Sequence, residues 1–520
     1  MTIRLLLAAF LIFHGAVFAA FPFAEATIDD LQGRMQSGKL TAHELTEAYL
    51  DRIAAVDRSG PSLHAVIEIN PDALAIADAL DAERKAGHVR GPLHGIPILI
   101  KDNIATADKM QTTAGSLALV GARPLRDAAI VERLRAAGAV ILGKTNLSEW
   151  ANIRSTTSTS GWSGRGGQTR NPYALQRNPS GSSSGSAAAV AANLCVAAIG
   201  TETDGSIVSP SSVCGIVGLK PTVGLVGRSG IIPISVSQDT AGSMARTVRD
   251  AAILLSVIAG PDPRDPATRE IPSSLTTTVF APARTGALKG ARLGVLRGPF
   301  GFHPRMEGML SATVAALKAA GAEIVEVGDF PHLTQISEPE LDVLLYELKA
   351  GLNTYLSELA AGAPTKTLAD VIRFNEAHRS EEMPFFGQEL LERAEAKGPL
   401  SDPVYVAARE LCLKFARTDG IDALLARHKL DALVSLTAGP AWLIDPINGD
   451  AYTGGSSTPA AVAGYPSVTV PAGGLSGLPV GISFYARAWS EARLIALAED
   501  FEDHTKARRE PPSGAPDLAK

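Results

Sequence analysis

The sequence predicts an α/β fold with one large mixed β-sheet and helices on both faces. Two observations carry that expectation. A phrase of helix, glycine and short apolar strand occurs at residues 128–142, AAIVERLRAAGAVIL, and a similar phrase returns at 314–327, VAALKAAGAEIVEV. Further short apolar runs are spread along the chain, too many and too widely spaced for a helical bundle. Helices that alternate with such strands bury their apolar stripes by packing on a sheet.

Taken in chain order, Thr27-x-x-Asp30 and Thr41-x-x-Glu44 read as capping boxes. Leu45, Ala48, Tyr49 and Ile53 then recur on one helical face. Residues 95–100, GIPILI, form a short buried strand that ends abruptly in Lys101-Asp102-Asn103. A helix at 128–137 stops at Gly138 and is followed by a strand at 139–142. A small-residue helix is expected at 187–192, and strands at 195–200, 292–296, 432–436, 467–470 and 480–484. Periodicity leaves parallel and antiparallel pairing open, so the sheet is read as mixed. Residues 261–286 are rich in Pro and Thr without a period and read as a surface excursion. No linker or charge block divides the chain, which predicts a single domain over residues 21–520.

The composition of this 520-residue chain narrows its partners. A net charge of −6 with acidic and basic residues interleaved gives no basic face for nucleic acid, and aromatics at 5% are too few for base stacking. Residues 1–20 read as a secretory signal peptide: Arg4, an apolar run over 5–13, and small residues around Val17-Phe18-Ala19 for cleavage near Ala19 or Ala20. An exported protein, periplasmic or secreted, is therefore expected. His14, Gly15 and Pro22 interrupt the apolar stretch and argue against a stable membrane anchor. Cys195, Cys214 and Cys412 allow at most one disulfide, with a Cys195–Cys214 pair left open, and small buried thiols are favoured.

The chemistry concentrates in residues 180–222, which hold nine serines and no histidine. A hydrolytic serine here needs another base. Ser206 follows an apolar strand among small residues, Thr203-Asp204-Gly205-Ser206-Ile207, where successive backbone N–H groups converge on an oxyanion. A lysine serves as base when burial removes its charge, and Lys101, at a strand end, is the best-placed candidate. Ser182, in the Ser/Gly loop before the small-residue helix, is placed to relay the proton. Tyr346, on an amphipathic stretch, and Trp442 are candidate substrate-lining residues, with a core role equally open. Two rivals stand beside this reading. Gly181-Ser182-Ser183-Ser184-Gly185 matches G-x-S-x-G, which would make Ser183 an α/β-hydrolase nucleophile with a histidine such as His428, although the preceding residues do not read as a strand. The Ser/Gly loop could instead bind an anion without catalysis. His94, beside a Gly-Ile-Pro turn, reads as structural, and so does Glu202.

Residues 180–222 resemble the signature segment of the amidase signature family: a Gly/Ser loop, a small apolar helix, a Gly-x-x-x-x-Gly-Ser-Ile segment and Gly218-Leu219-Lys220-Pro221-Thr222. Blocks at 95–103, 143–149, 239–247 and 477–481 also resemble family blocks in the expected order. The resemblance implies the amidase signature fold and a Ser-Ser-Lys triad in which Ser206 attacks, Ser182 bridges and Lys101 is the base. It further implies a cis peptide before Ser182, and an oxyanion hole made by the N–H groups of Thr203, Asp204, Gly205 and Ser206. Many family members carry Gly-Gly-Ser-Ile-Arg at the nucleophile, whereas this chain has Asp204-Gly205-Ser206-Ile207-Val208. That version, with Asn146 to Asn152 and Ser160-Gly161-Trp162, is most similar to exported bacterial peptide amidases. The resemblance implies deamidation of C-terminal peptide amides, with other small, aryl or fatty amides as the alternative. No metal or organic cofactor is expected, the only partner is an amide substrate, and nothing in the sequence calls for more than a monomer.

Overall fold

The computed structural model describes residues 21–275, 286–298 and 303–512. The segment read as a signal peptide lies outside them. Among the described residues there are thirteen strands: β1 (Val66–Ile69), β2 (Pro97–Lys101), β3 (Val140–Thr145), β4 (Trp162–Ser163), β5 (Gly167–Gln168), β6 (Ala197–Glu202), β7 (Val217–Lys220), β8 (Thr240–Ala245), β9 (Arg292–Leu296), β10 (Glu323–Gly328), β11 (Ala432–Leu436), β12 (Ser467–Leu475) and β13 (Leu478–Tyr485). Eleven of them make one sheet in the order β1-β3-β2-β6-β8-β7-β12-β13-β11-β9-β10, and β4 and β5 pair separately.

The sheet is mixed, as expected. β3, β2 and β6 run parallel to one another, as do β11, β9 and β10. Between them, β6, β8, β7, β12, β13 and β11 are joined by antiparallel pairings. β2, β3, β6, β7 and β8 are buried at every residue, which means that both faces of the sheet centre are covered. The helix Ser184–Ala191 is buried at every position. Its run of Ser, Gly and Ala lets it lie close to the sheet, where it packs on β2, β3, β6 and β8.

Both N-terminal capping boxes form. Thr27 Oγ1 accepts from Asp30 N, and Thr41 Oγ1 accepts from Glu44 N while Glu44 reaches back to Thr41 N. Three sheet strands escaped the sequence pattern. β1 is short and only part buried, β7 is four residues with a glycine, and β8 reads TAGSMA, without the β-branched or aromatic run that marks a strand. The three cysteines are buried and unpaired.

Arg246, just past β8, joins parts of the chain distant in sequence. Its guanidinium is buried and donates to the carbonyls of Cys195 at 2.8 Å and Ala26 at 2.8 Å. Each such carbonyl left unpaired costs about 1–3 kcal/mol. Arg246→Met is therefore expected to lower unfolding free energy by at least about 2 kcal/mol. An unchanged urea midpoint would show that these bonds contribute nothing net.

Candidate active site

Lys101 closes β2, and its parallel neighbour β6 runs straight into Thr203-Asp204-Gly205-Ser206. Parallel pairing puts the carboxyl ends of both strands at the same edge of the sheet. A lysine and a serine loop about a hundred residues apart thus converge.

The Lys101 side chain is fully buried and sits among oxygens. Nζ lies 2.8 Å from Ser182 Oγ, 3.1 Å from Ser183 Oγ, 2.9 Å from Thr201 Oγ1 and 3.2 Å from the Thr201 carbonyl. Among the described residues no carboxylate comes within ion-pair distance of it. Burial without a counter-ion disfavours the ammonium form and lowers the Lys101 pKa to about 7, although Asp239 and Glu202 partly oppose the shift from further away. A neutral amine has two N–H donors and one lone pair, which suits a shell of hydroxyls and a carbonyl. Asn103 Nδ2 donates to Thr201 Oγ1 at 3.0 Å and so fixes one wall of this shell.

Ser182 follows a cis peptide bond, Gly181–Ser182, as the resemblance implied. The next residue anchors the loop: Ser183 Oγ donates to the Thr201 carbonyl at 3.0 Å and accepts from Thr201 N at 3.2 Å. Ser183 N donates to the Ser206 carbonyl at 3.1 Å, which holds Ser206 against the Ser182–Ser183 segment. Ser206 is 8% exposed, reachable but shielded. Gly205 before it takes φ +80°, and a Cβ there would lie 2.9 Å from Ser457 Oγ. Both the turn and the crowding require glycine.

Beyond Ser206, Glu202 Oε2 accepts from Ile207 N at 2.7 Å and Val208 N at 3.0 Å. Its role here is the structural one expected. The side chains of Thr203 and Asp204 are also engaged: Thr203 Oγ1 donates to Asp239 at 2.6 Å, and Thr458 Oγ1 donates to Asp204 at 2.6 Å.

A cavity of about 470 Å³ opens on this loop, lined by Gly181, Asp204, Gly205, Trp442, Asp450 and Tyr452 among others. A second, of about 280 Å³, touches Thr201 and Thr203 and is walled by Ile231, Ile232 and Ile234. Trp442 lines the first cavity, with Nε1 donating to Asp450 at 2.9 Å and the ring edge-on to Tyr452. Tyr346 lines neither of these two. Its hydroxyl donates to Asp402 at 2.8 Å and its ring packs against Tyr405, contacts of the kind that the core reading of this residue expects.

The other readings separate as well. No strand precedes Ser183, and its hydroxyl is spent on Thr201, which removes the G-x-S-x-G alternative. His94 uses Nε2 on the Leu80 carbonyl and Nδ1 on Arg90 N, a structural histidine. Sequence reasoning missed Thr201, Asn103 and the part played by Ser183. The one available signal was that the residues around a strand-end lysine must supply its hydrogen bonds.

The chain is similar to known proteins along most of its length. The family model "Amidase" matches residues 44–495. The native peptide amidase of Stenotrophomonas maltophilia, a solved structure, is 55% identical with a TM-score of 0.91, over 95% of this chain and 99% of that one. The crystal structure of an amidase family protein from Bacillus anthracis is 36% identical with a TM-score of 0.85, over 94% of this chain and 92% of that one. An Arabidopsis thaliana protein named "Probable amidase" is 42% identical over 95% of this chain and 92% of its own length. With the fold matched along nearly its whole length, this chain belongs to the amidase signature family and is an amidase, a hydrolase of carbon–nitrogen amide bonds.

Proposed function

We propose that the chain hydrolyses the C-terminal amide of peptides through a Ser206–Ser182–Lys101 triad, releasing ammonia and the free acid. One observation carries the triad: a fully buried lysine with no carboxylate beside it has its amine 2.8 Å from the hydroxyl of Ser182. The 55% identity to peptide amidases supports the choice of substrate, and so does an open polar cavity able to take more than an amide group.

In this reading Ser206 Oγ attacks the amide carbon. Its proton passes to Ser182 Oγ as the Ser182 proton passes to the Lys101 amine. The N–H groups of Thr203, Asp204, Gly205 and Ser206 hold the oxyanion that forms. As the C–N bond breaks, Lys101 returns the proton through Ser182 to the leaving nitrogen, which departs as ammonia. Water then attacks the acyl-enzyme, loses its proton along the same relay, and Ser206 is restored as the acid leaves.

Export from residues 1–20 belongs to the same proposal, and a mature chain beginning near residue 20 by intact mass of the periplasmic or secreted protein supports it. A full-length chain there counts against cleavage.

Activity should fall on the acid side as Lys101 takes up a proton, with kcat/KM dropping as pH passes down through about 7. Lys101→Ala is expected to cut turnover roughly 100- to 10,000-fold at neutral and alkaline pH. Near-wild-type turnover in that variant would remove the lysine from the mechanism. A fluorophosphonate should label the wild type and not Ser206→Ala; equal labelling of both would place the nucleophile elsewhere. Ammonia release should be fastest from N-acylated amino-acid amides. Faster release from fatty-acid amides or free glutamine would reject the peptide-amide assignment while leaving the triad.

A further inference from the structure

The loop that follows β6 carries a carboxyl group, that of Asp204, two residues before Ser206. Asp204 Oδ2 accepts from Thr458 Oγ1 at 2.6 Å, but Oδ1 is buried and makes no ordinary hydrogen bond. Its neighbour is another acid: the carboxyl of Glu340, from the helix Leu333–Ser357, meets that of Asp204. Neither acid has an ion-pair partner among the described residues. Two facing carboxyls disfavour ionisation of both at once, and a single proton between them supplies the donor that the buried Oδ1 lacks.

The same pair reaches the backbone of the loop. Gln238 Nε2 donates to Glu340 Oε1 at 2.9 Å and to the Thr203 carbonyl at 3.3 Å. The Thr203 carbonyl and the Asp204 N–H belong to one planar trans peptide and point in opposite directions. Fixing the carbonyl therefore fixes the direction of the N–H.

We propose that Glu340 is a positioning residue for the oxyanion loop: sharing one proton with Asp204, and acting through Gln238, it aims the Asp204 N–H at the substrate carbonyl. Loss of the shared proton at alkaline pH leaves two facing carboxylates, whose repulsion slackens the loop and lowers turnover. Burial and mutual repulsion push both acids above the usual carboxylate range, Glu340 well above it. Other titratable groups face the pair from the surrounding elements. Lys220 of β7, Glu202 of β6 and Tyr452 of the cavity wall sense Asp204, and Cys412 of the helix Pro403–Leu413 senses Glu340. Asp239 holds the Thr203 hydroxyl. Lys220, with a pKa lowered to about 8, is a rival source of an alkaline decline.

This inference rests on the oxyanion loop assigned above, and the test separates the two. kcat and KM for an N-acylated amino-acid amide are measured against pH in the wild type, Glu340→Leu and Glu340→Gln. Glu340→Leu is expected to lower kcat roughly tenfold to a hundredfold with a smaller change in KM, as for a misaimed oxyanion donor. Glu340→Gln presents a permanent N–H to Asp204 and keeps an oxygen for Gln238. It should recover kcat at neutral pH and lose the alkaline decline of the wild type. An alkaline decline with the same midpoint in Glu340→Gln assigns it to another group such as Lys220 and overturns the proposal. So does a wild-type profile without a decline, or a Glu340→Leu kcat within about twofold of wild type. If Ser206→Ala still labels and turns over, the loop assignment itself fails. If Ser206→Ala is dead while Glu340→Gln keeps the decline, only the role of Glu340 fails.

Discussion

Everything at this site depends on a lysine amine held out of water with no anion in contact. An ammonium there would lose its hydration and gain only hydroxyls and a carbonyl in return, which is why the Lys101 pKa falls to about 7. The surrounding carboxylates are arranged accordingly. Asp239 and Glu202 are near enough to moderate the shift, yet each is occupied by other donors: Thr203 Oγ1 and the N–H groups of Ile234 and Ser235 for Asp239, and those of Ile207 and Val208 for Glu202. A carboxylate in direct contact would return the lysine to its charged form, which has no lone pair to take up a proton.

The sheet supplies this environment at little cost in chain. β2 ends in Lys101 and β6 ends in the serine loop, and their parallel pairing makes the convergence a property of topology. The helix Ser184–Ala191 completes it, because its small side chains let the Ser182–Ser183 segment approach the strand ends. Departing from the Gly-Gly-Ser form of the loop, Asp204 brings in a second acid-rich layer through Glu340 and Gln238.

Much of this was legible in the sequence, for physical reasons. The repeated helix-glycine-strand phrase, the capping boxes and the apolar strands are local signals, and they located most of the sheet. The strand that reads TAGSMA was not legible, because close packing between its neighbours makes small residues suitable there and propensity carries no trace of that. Lys101, Ser182 and Ser206 stood out once the missing histidine was noticed. Thr201, Asn103 and Glu340 did not, since their meaning lies in contacts between segments 98 to 102 residues apart. At Tyr346 an amphipathic stretch says that one side is covered without saying by what, and the structure gives Tyr405 and Asp402 as its partners.

The three thiols carry one more consequence. Cys195, Cys214 and Cys412 are buried and unpaired, and burial pushes their pKa values upward, to about 12 for Cys195 and Cys412. A thiol kept protonated and out of solvent neither attacks a disulfide nor is readily oxidised. The folded structure accordingly draws none of its stability from a cross-link that a reducing environment could break.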